Sequence, residues 1–85
     1  MLTPQIASAV AAERVRQRNL WDRDHDHGHG DCSSPNVPTM VKIAVLSEEC
    51  GEVARAALDQ NEDNLRAELI QVMAVCHAIL EGIET

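Results

Sequence analysis

The chain has 85 residues, a formal net charge of −7 and only one residue of the Phe, Trp and Tyr class, Trp21. A chain of this length supports one domain with a small core. Its acidity argues against binding to polymeric nucleic acid, because surfaces that do so are basic. With so few aromatic residues, the core must be built from Ala, Val, Ile and Leu, which favours packed helices over a β-sandwich. The sequence therefore predicts an all-α fold.

The cysteines predict a reducing compartment. Cys32, Cys50 and Cys76 are an odd set without C-x-x-C spacing, which is not typical of a disulfide framework. We find no signal peptide and no apolar run of about 18 residues, so we expect a cytoplasmic protein that does not span a membrane.

A first helix is predicted over residues 4–20, with Thr3 as its N-cap and Pro4 as its first residue. Residues 21–38 hold alternating histidines, glycines and prolines, and they follow neither a helical nor a strand period. We expect a long loop there, and long loops in small domains are often functional or mobile.

Two further helices are predicted over residues 39–58 and about 64–82, joined by a polar turn. Thr39 is the expected cap of helix 2, and Asn64 or Asp63 that of helix 3. The two helices form an antiparallel hairpin because their apolar residues follow the helical period and the turn is short.

A glycine inside helix 2, Gly51, costs about 1 kcal/mol relative to alanine and suggests close packing at that point. The hairpin and the N-terminal helix make only three helices, and chains this short often need a metal or a second subunit. We therefore expect at least a dimer, in which oligomerisation completes a four-helix-bundle-type core.

Acidic side chains lie on the apolar stripes of the hairpin rather than opposite them. They are Glu48, Glu49 and Glu52 on helix 2 and Glu68 on helix 3. Packing the two stripes together would bring these carboxylates towards one another, at a cost in repulsion and lost hydration. A divalent cation with oxygen ligands would relieve that cost, and helix bundles build metal sites in this way.

The alternative is a solvated charged face. Arg55 is spaced to pair with Glu52, Arg66 has acidic neighbours of its own, and acidic residues on helices commonly serve solubility. The residues alone leave both interpretations open.

Two segments resemble the motifs of the MazG-like, all-α nucleotide pyrophosphohydrolases. VLSEECGEVARA at 45–56 resembles their E-E-x-x-E signature, and LRAELIQVMAV at 65–75 resembles their second motif, normally E-x-x-D. Upstream, ERVRQ at 13–17 and Trp21 followed by His25 resemble the first helix and its aromatic end.

The resemblance implies hydrolysis of a nucleoside triphosphate, often a noncanonical or deoxy one, to the monophosphate and pyrophosphate. It implies a requirement for Mg²⁺ or Mn²⁺ and assembly as a homodimer or homotetramer. It also implies roles for individual residues. Glu49, Glu52 and Glu68 would bind metal, Glu48 would be a further ligand or orient a water, and Glu48 or Glu49 would accept the proton. The last acidic position of the family is Gln71 here, which offers a neutral oxygen to a metal.

Substrate contacts are expected from Trp21, which would stack on the base as aromatic residues do in the family, or would instead anchor helix 1 to the core. Lys42 and Arg66 are candidates for phosphate contacts, as are Arg14 and Arg18.

The histidine-rich loop has its own set of metal-binding residue types, namely His25, His27, His29 and Cys32. They are suited to zinc, nickel or copper, although no standard zinc spacing is present. A substrate lid and a simple connector are the other two interpretations.

Three functions remain open from the sequence. The first is an active nucleotide pyrophosphohydrolase. The second is a binding module of the same fold that lacks turnover, for which Gln71 is the argument. The third is a structural helical oligomer whose loop binds a transition metal.

Overall fold

The computed structural model describes residues 2–84 and is built from three helices, as the all-α prediction requires. The elements in chain order are α1 (Pro4–Trp21), β1 (Asp24–His25), β2 (Gly28–His29), α2 (Thr39–Leu58) and α3 (Glu62–Glu84). No helix in the described range is long and apolar enough to cross a membrane.

The third helix is the centre of the fold, because both α1 and α2 pack against it. The buried apolar residues are Val10, Val37, Ala56, Ala74, Val75, Ala78 and Ile79. Three of these seven are alanines, which let helix backbones approach closely but bury little apolar area each. The single chain therefore has a thin core.

Large apolar side chains remain exposed on all three helices and just before α1. They are Leu2, Val15, Leu20, Trp21, Met40, Ile43, Leu58, Leu69, Leu80 and Ile83. A single exposed apolar residue is ordinary, but this many on 85 residues leaves much apolar surface uncovered.

Capping differs between the first two helices. Thr3 caps α1, since its hydroxyl accepts a hydrogen bond from the Ile6 amide at 3.3 Å. The prediction that Thr39 caps α2 is wrong. Thr39 is the first helical residue and Pro38 precedes it, with no side chain capping that end.

A tight turn joins α2 to α3 and contains Gln60 in the left-handed region, with φ 55°. The amide of Gln60 donates to the carbonyl of Ala57, and that of Asn61 donates to the carbonyl of Ala56. This is the Schellman pairing that closes helix C-termini, with glutamine where glycine is usual.

Asn61 caps the N-terminus of α3, because its side-chain oxygen accepts a hydrogen bond from the Asn64 amide at 3.0 Å. The helix therefore starts at Glu62, two residues earlier than expected. The prediction of Asn64 or Asp63 as cap is wrong, because both already lie within the helix.

The segment expected to be an unstructured loop contains a small antiparallel hairpin, in which Asp24 pairs with His29 and His25 with Gly28. Gly28 has φ +134°, and a Cβ there would lie 2.0 Å from the carbonyl oxygen of Asn36. Only glycine permits this approach, which folds residues 30–37 back over the hairpin.

The prediction of close packing at Gly51 is wrong, since a Cβ at this position would have no neighbouring atom within 4 Å. The close approach occurs instead at Gly82 on α3, where a Cβ would lie 3.0 Å from the carbonyl oxygen of Ser33. The loop before α2 rests on α3 at that point.

Gly51→Ala should raise the free energy of unfolding by about 0.5–1 kcal/mol, because helical alanine loses less backbone entropy and the space is open. Gly82→Ala is the matched control and should gain less or lose stability, since its Cβ would press on the loop. Urea unfolding of both variants measures the difference. A loss of stability in Gly51→Ala would mean that this face is packed against something in solution.

Candidate metal centre and adjoining clefts

Three carboxylates converge where α2 faces α3. One carboxylate oxygen from each of Glu49, Glu52 and Glu68 lies within 4.8 Å of the other two. Within residues 2–84 this is the one group of three or more histidine, cysteine, aspartate or glutamate side chains with metal-binding spacing. Glu49 and Glu52 are one helical turn apart on α2, and Glu68 comes from the facing helix.

Two oxygens of this carboxylate cluster are buried without a hydrogen-bond partner: Oε2 of Glu49 and Oε2 of Glu68. Burial, and then the charges of Glu52 and Glu68, raise the pKa of Glu49 to about 7 from a usual 4.5. Burial, followed by the interaction with Glu52, also raises the pKa of Glu68. A buried acceptor without a donor costs free energy, and a hard cation is the ligand that would satisfy both oxygens.

The interpretation as a solvated charged face does not account for these positions. Glu49 and Glu68 are only partly exposed, and neither forms an ion pair within the described range. Arg55 and Arg66, the cations that this interpretation relied on, form no ion pair with the described residues.

A cleft of about 520 Å³ adjoins the carboxylate cluster and opens between α1 and α2, with Val75 of α3 lining it. Its α2 wall is apolar up to Glu48 and Glu49, and its α1 wall ends at Trp21. This volume is typical of sites for small organic ligands. We call it the first cleft.

Trp21 stands at the first cleft rather than in the core, with 39% of its surface exposed. The ring of His25 meets it edge-on with centroids 5.5 Å apart, and the Arg23 guanidinium lies 5.1 Å from its centre. Trp21 is therefore not an anchor of helix 1, and a flat ligand in the first cleft would have an aromatic surface beside it.

A second, more open cleft of about 380 Å³ lies between α1 and α3. Arg66 and Gln71 line it, together with Glu13 and Arg16 of α1. The structure therefore brings Gln71, the predicted fourth metal ligand, to this second cleft.

Lys42 does not lie near the carboxylate cluster. Its side chain is buried, and its ammonium nitrogen is 3.3 Å from where a Cβ on Gly82 would lie. It is seven residues from Glu49 on α2, about 10 Å along the helix axis. It lines neither cleft, and its charge suits the C-terminal end of α3.

Arg14 is a buried structural residue, and sequence analysis missed this. Its guanidinium donates to Asp31 at 2.7 Å, to His77 at 3.2 Å and to Glu81 at 3.2 Å. Arg18 pairs with the same Glu81 at 3.5 Å. These contacts tie α1 to both α3 and the loop. Because Arg14 is buried and fully engaged, it is not free to hold a phosphate, and Arg18 lines neither cleft.

Asp31 is the loop end of this network and also lines the first cleft. Burial alone would raise the pKa of Asp31, but hydrogen bonds from Ser33 and Arg14 outweigh burial and lower it. Asp31 thus remains ionised and fixes the loop wall of the first cleft. The only sign of this ion pair in the sequence was the position of Arg14 on the inner face of a predicted helix. That position did not show that Asp31 is its partner.

The histidines of the loop have partners other than a metal. Nε2 of His25 donates to the carbonyl of Gly30 at 2.9 Å, and its Nδ1 accepts from the His27 amide at 3.3 Å. Both nitrogens of His25 are therefore occupied. His29 contacts Asp24 at 2.7 Å and Asp22 at 3.5 Å.

Without a metal, two side chains of the loop favour their protonated forms, so a metal would have to displace a proton from each. The hydrogen bond to Asp24 raises the pKa of His29, which favours its protonated form, whereas metals bind neutral imidazole. Burial raises the pKa of Cys32, which disfavours the thiolate that a metal needs. The loop forms one end of the first cleft through His25, His27 and Asp31.

Comparisons with models of protein families, with curated proteins and with solved structures give no match.

The raised pKa of Glu49 predicts the pH dependence of stability in protein freed of metal. Between 4.5, the usual value, and about 7, the folded chain keeps a proton that the unfolded chain has lost. The free energy of unfolding should therefore fall as the pH rises through this interval, relative to Glu49→Gln, which cannot ionise. Chemical unfolding across the interval tests this, with Glu62→Gln as control. Parallel curves for the wild type and Glu49→Gln would contradict it.

The buried ion pair can be tested with a double-mutant cycle. Arg14→Gln or Asp31→Asn alone should each cost about 3 kcal/mol of stability, because each leaves a buried charge without its partner. Together they should cost less than the sum, with a coupling of about 1–3 kcal/mol. Arg18→Gln, whose pairing is longer and exposed, should cost less than about 1 kcal/mol. Additive effects of the two buried substitutions would show that the pair is not coupled.

Proposed function

We propose that this protein is a metal-dependent nucleotide pyrophosphohydrolase of the MazG-like type, which cleaves a nucleoside triphosphate or deoxynucleoside triphosphate to the monophosphate and pyrophosphate. One observation carries the proposal. Three carboxylates from facing helices converge with two buried oxygens unpartnered, beside a cleft of ligand size that has an aromatic residue at its side. The motifs at 45–56 and 65–75 supply these same carboxylates.

Glu49, Glu52 and Glu68 would hold Mg²⁺ or Mn²⁺, because hard divalent cations take carboxylate oxygens. When bound, the cation offsets the charge of the triphosphate and lowers the pKa of a coordinated water. Glu48 is exposed on the edge of the first cleft next to Glu49. It is the carboxylate best placed to orient the attacking water or accept its proton.

The first cleft would receive the nucleoside. Val41, Ala44 and Val45 offer an apolar wall on α2, and Trp21 offers an aromatic face on α1. Bases are flat and apolar on their faces, so this lining favours a base over a simple phosphate. Lys42 takes no part in the proposed substrate contacts, because it is buried against the end of α3, whereas Arg66 is exposed and remains a candidate for a phosphate contact.

A homodimer or homotetramer is part of the proposal. The chain leaves Met40, Ile43, Leu58, Leu80 and Ile83 exposed on α2 and α3, and the core of one chain is thin. Packing such surfaces against a second copy would complete a four-helix core. The three free cysteines suit a reducing, cytoplasmic environment.

The proposal predicts cation-dependent release of pyrophosphate from at least one member of a panel of ribo- and deoxynucleoside triphosphates. Glu52→Gln and Glu68→Gln should each lower turnover more than about a hundredfold, because each removes a charged metal ligand. They should also weaken Mn²⁺ binding measured by calorimetry. Glu62→Gln, exposed in the first turn of α3, is the matched control and should change neither.

A nucleotide-binding module without turnover is the second candidate, and the neutral amide of Gln71, at the last acidic position of the MazG-like motif, favours it. Cation-dependent nucleotide binding without pyrophosphate release would select this candidate. Full activity in both Glu52→Gln and Glu68→Gln would reject the proposed metal site.

A further inference from the structure

The two clefts have opposite charge. The charged residues lining the second cleft are Arg16, Arg66 and Glu13, a formal excess of one positive charge on a chain whose net charge is −7. The first cleft is lined by Asp31, Glu48 and Glu49 and only one arginine, Arg16. Arg16 is therefore the cation shared by both clefts.

The two arginines of the second cleft differ in how they are held. Nε and Nη2 of Arg16 donate hydrogen bonds to the two carboxylate oxygens of Glu13, at 2.8 and 2.7 Å. Its side chain is nevertheless 55% exposed, whereas that of Glu13 is 12% exposed. Arg66 is exposed and pairs with no acid among residues 2–84. Arg66 thus has no ion pair, and Arg16 makes a bidentate contact with a carboxylate. A phosphate can accept the same bidentate contact from an arginine.

The floor of the second cleft consists of small or apolar side chains, and its neutral polar residue is Gln71. Ala9 and Ala12 of α1 face Ala67 and Ile70 of α3, so little bulk lies between the two arginines. An aspartate in place of Gln71 would cancel the positive excess. A glutamine preserves it and adds an amide donor.

We propose that the second cleft binds the pyrophosphate portion of the substrate, with Arg16 and Arg66 contacting its phosphate oxygens and Gln71 keeping the cleft cationic. This rests on the function proposed above, and it gives the triphosphate a direction. The nucleoside lies in the first cleft, the reacting phosphate lies at the carboxylate cluster, and the leaving group lies between α1 and α3. Arg16 lines both clefts and Glu49 of the cluster lines the first cleft, so the two clefts meet at Arg16.

Binding of inorganic pyrophosphate to the full chain, measured by calorimetry with Mg²⁺ and with a chelator, tests this without requiring turnover. Arg16→Gln and Arg66→Gln should each weaken binding about tenfold or more, since each removes a charge-assisted hydrogen bond. Gln71→Asp should also weaken it, and Glu13→Gln should strengthen it by releasing Arg16. Arg55→Gln, an exposed arginine that lines neither cleft, should leave binding unchanged. Circular dichroism checks that each variant is folded.

A nucleoside monophosphate provides the second arm, because its affinity should not depend on Arg66. Equal pyrophosphate affinity in the wild type, Arg16→Gln and Arg66→Gln would overturn the inference, as would the absence of pyrophosphate binding. Arginine-dependent pyrophosphate binding without triphosphate hydrolysis would support the second cleft and reject the enzyme. Cation-dependent hydrolysis that is unchanged in Arg16→Gln and Arg66→Gln would support the enzyme and reject the second cleft as the pyrophosphate site.

Discussion

The repulsion among Glu49, Glu52 and Glu68 is the constraint around which the rest of the molecule is arranged. Helices pack by burying apolar stripes, and here the stripes of α2 and α3 carry acids at their point of contact. The cost is offset in part by protonation, as the raised pKa of Glu49 indicates, and a cation would offset it more fully. A core rich in alanine is consistent with this arrangement, because close helix backbones bring short acidic side chains within reach of one ion.

Arg14 provides the complementary interaction at the other end of the domain. By holding Asp31, His77 and Glu81 together, it fixes a loop that has little regular structure of its own. Because α1 and α2 both rest on α3, a gap remains between them, and this loop closes one end of the gap. The first cleft is therefore a consequence of how few helices the chain has. The carboxylate cluster lies at one end of the cleft, and the ion-pair network stabilises the other.

Sequence periodicity was sufficient for the helices and for the approximate location of the acidic site, because both depend on residues a few positions apart. It failed where the deciding contact joins distant residues. The partner of Arg14 is 17 positions away in the loop, and Lys42 is buried against the end of α3 by the tertiary packing of the hairpin.

The boundaries of α2 and α3 were predicted less well than the helices themselves. The predicted helix caps differ from the observed boundary residues, Pro38 and Asn61, because several residues near each boundary have capping propensity. The prediction of close packing at Gly51 failed because a glycine in a helix does not show whether another element packs against it. Composition left the role of the histidine loop open, because it does not show the hydrogen bonds that the His25 ring makes or the hairpin that Gly28 makes geometrically possible.

Trp21 has a spectroscopic consequence. The chain has no tyrosine and no phenylalanine, so its near-ultraviolet absorption and its fluorescence come from one indole. That indole stands at the side of the first cleft, with a guanidinium 5.1 Å from its centre and a histidine ring 5.5 Å away. Its emission is thus a background-free optical reporter of the cleft, one that needs no added label. Any ligand that stacks on the ring, or any movement of the loop that carries His25, would register directly in its intensity and wavelength.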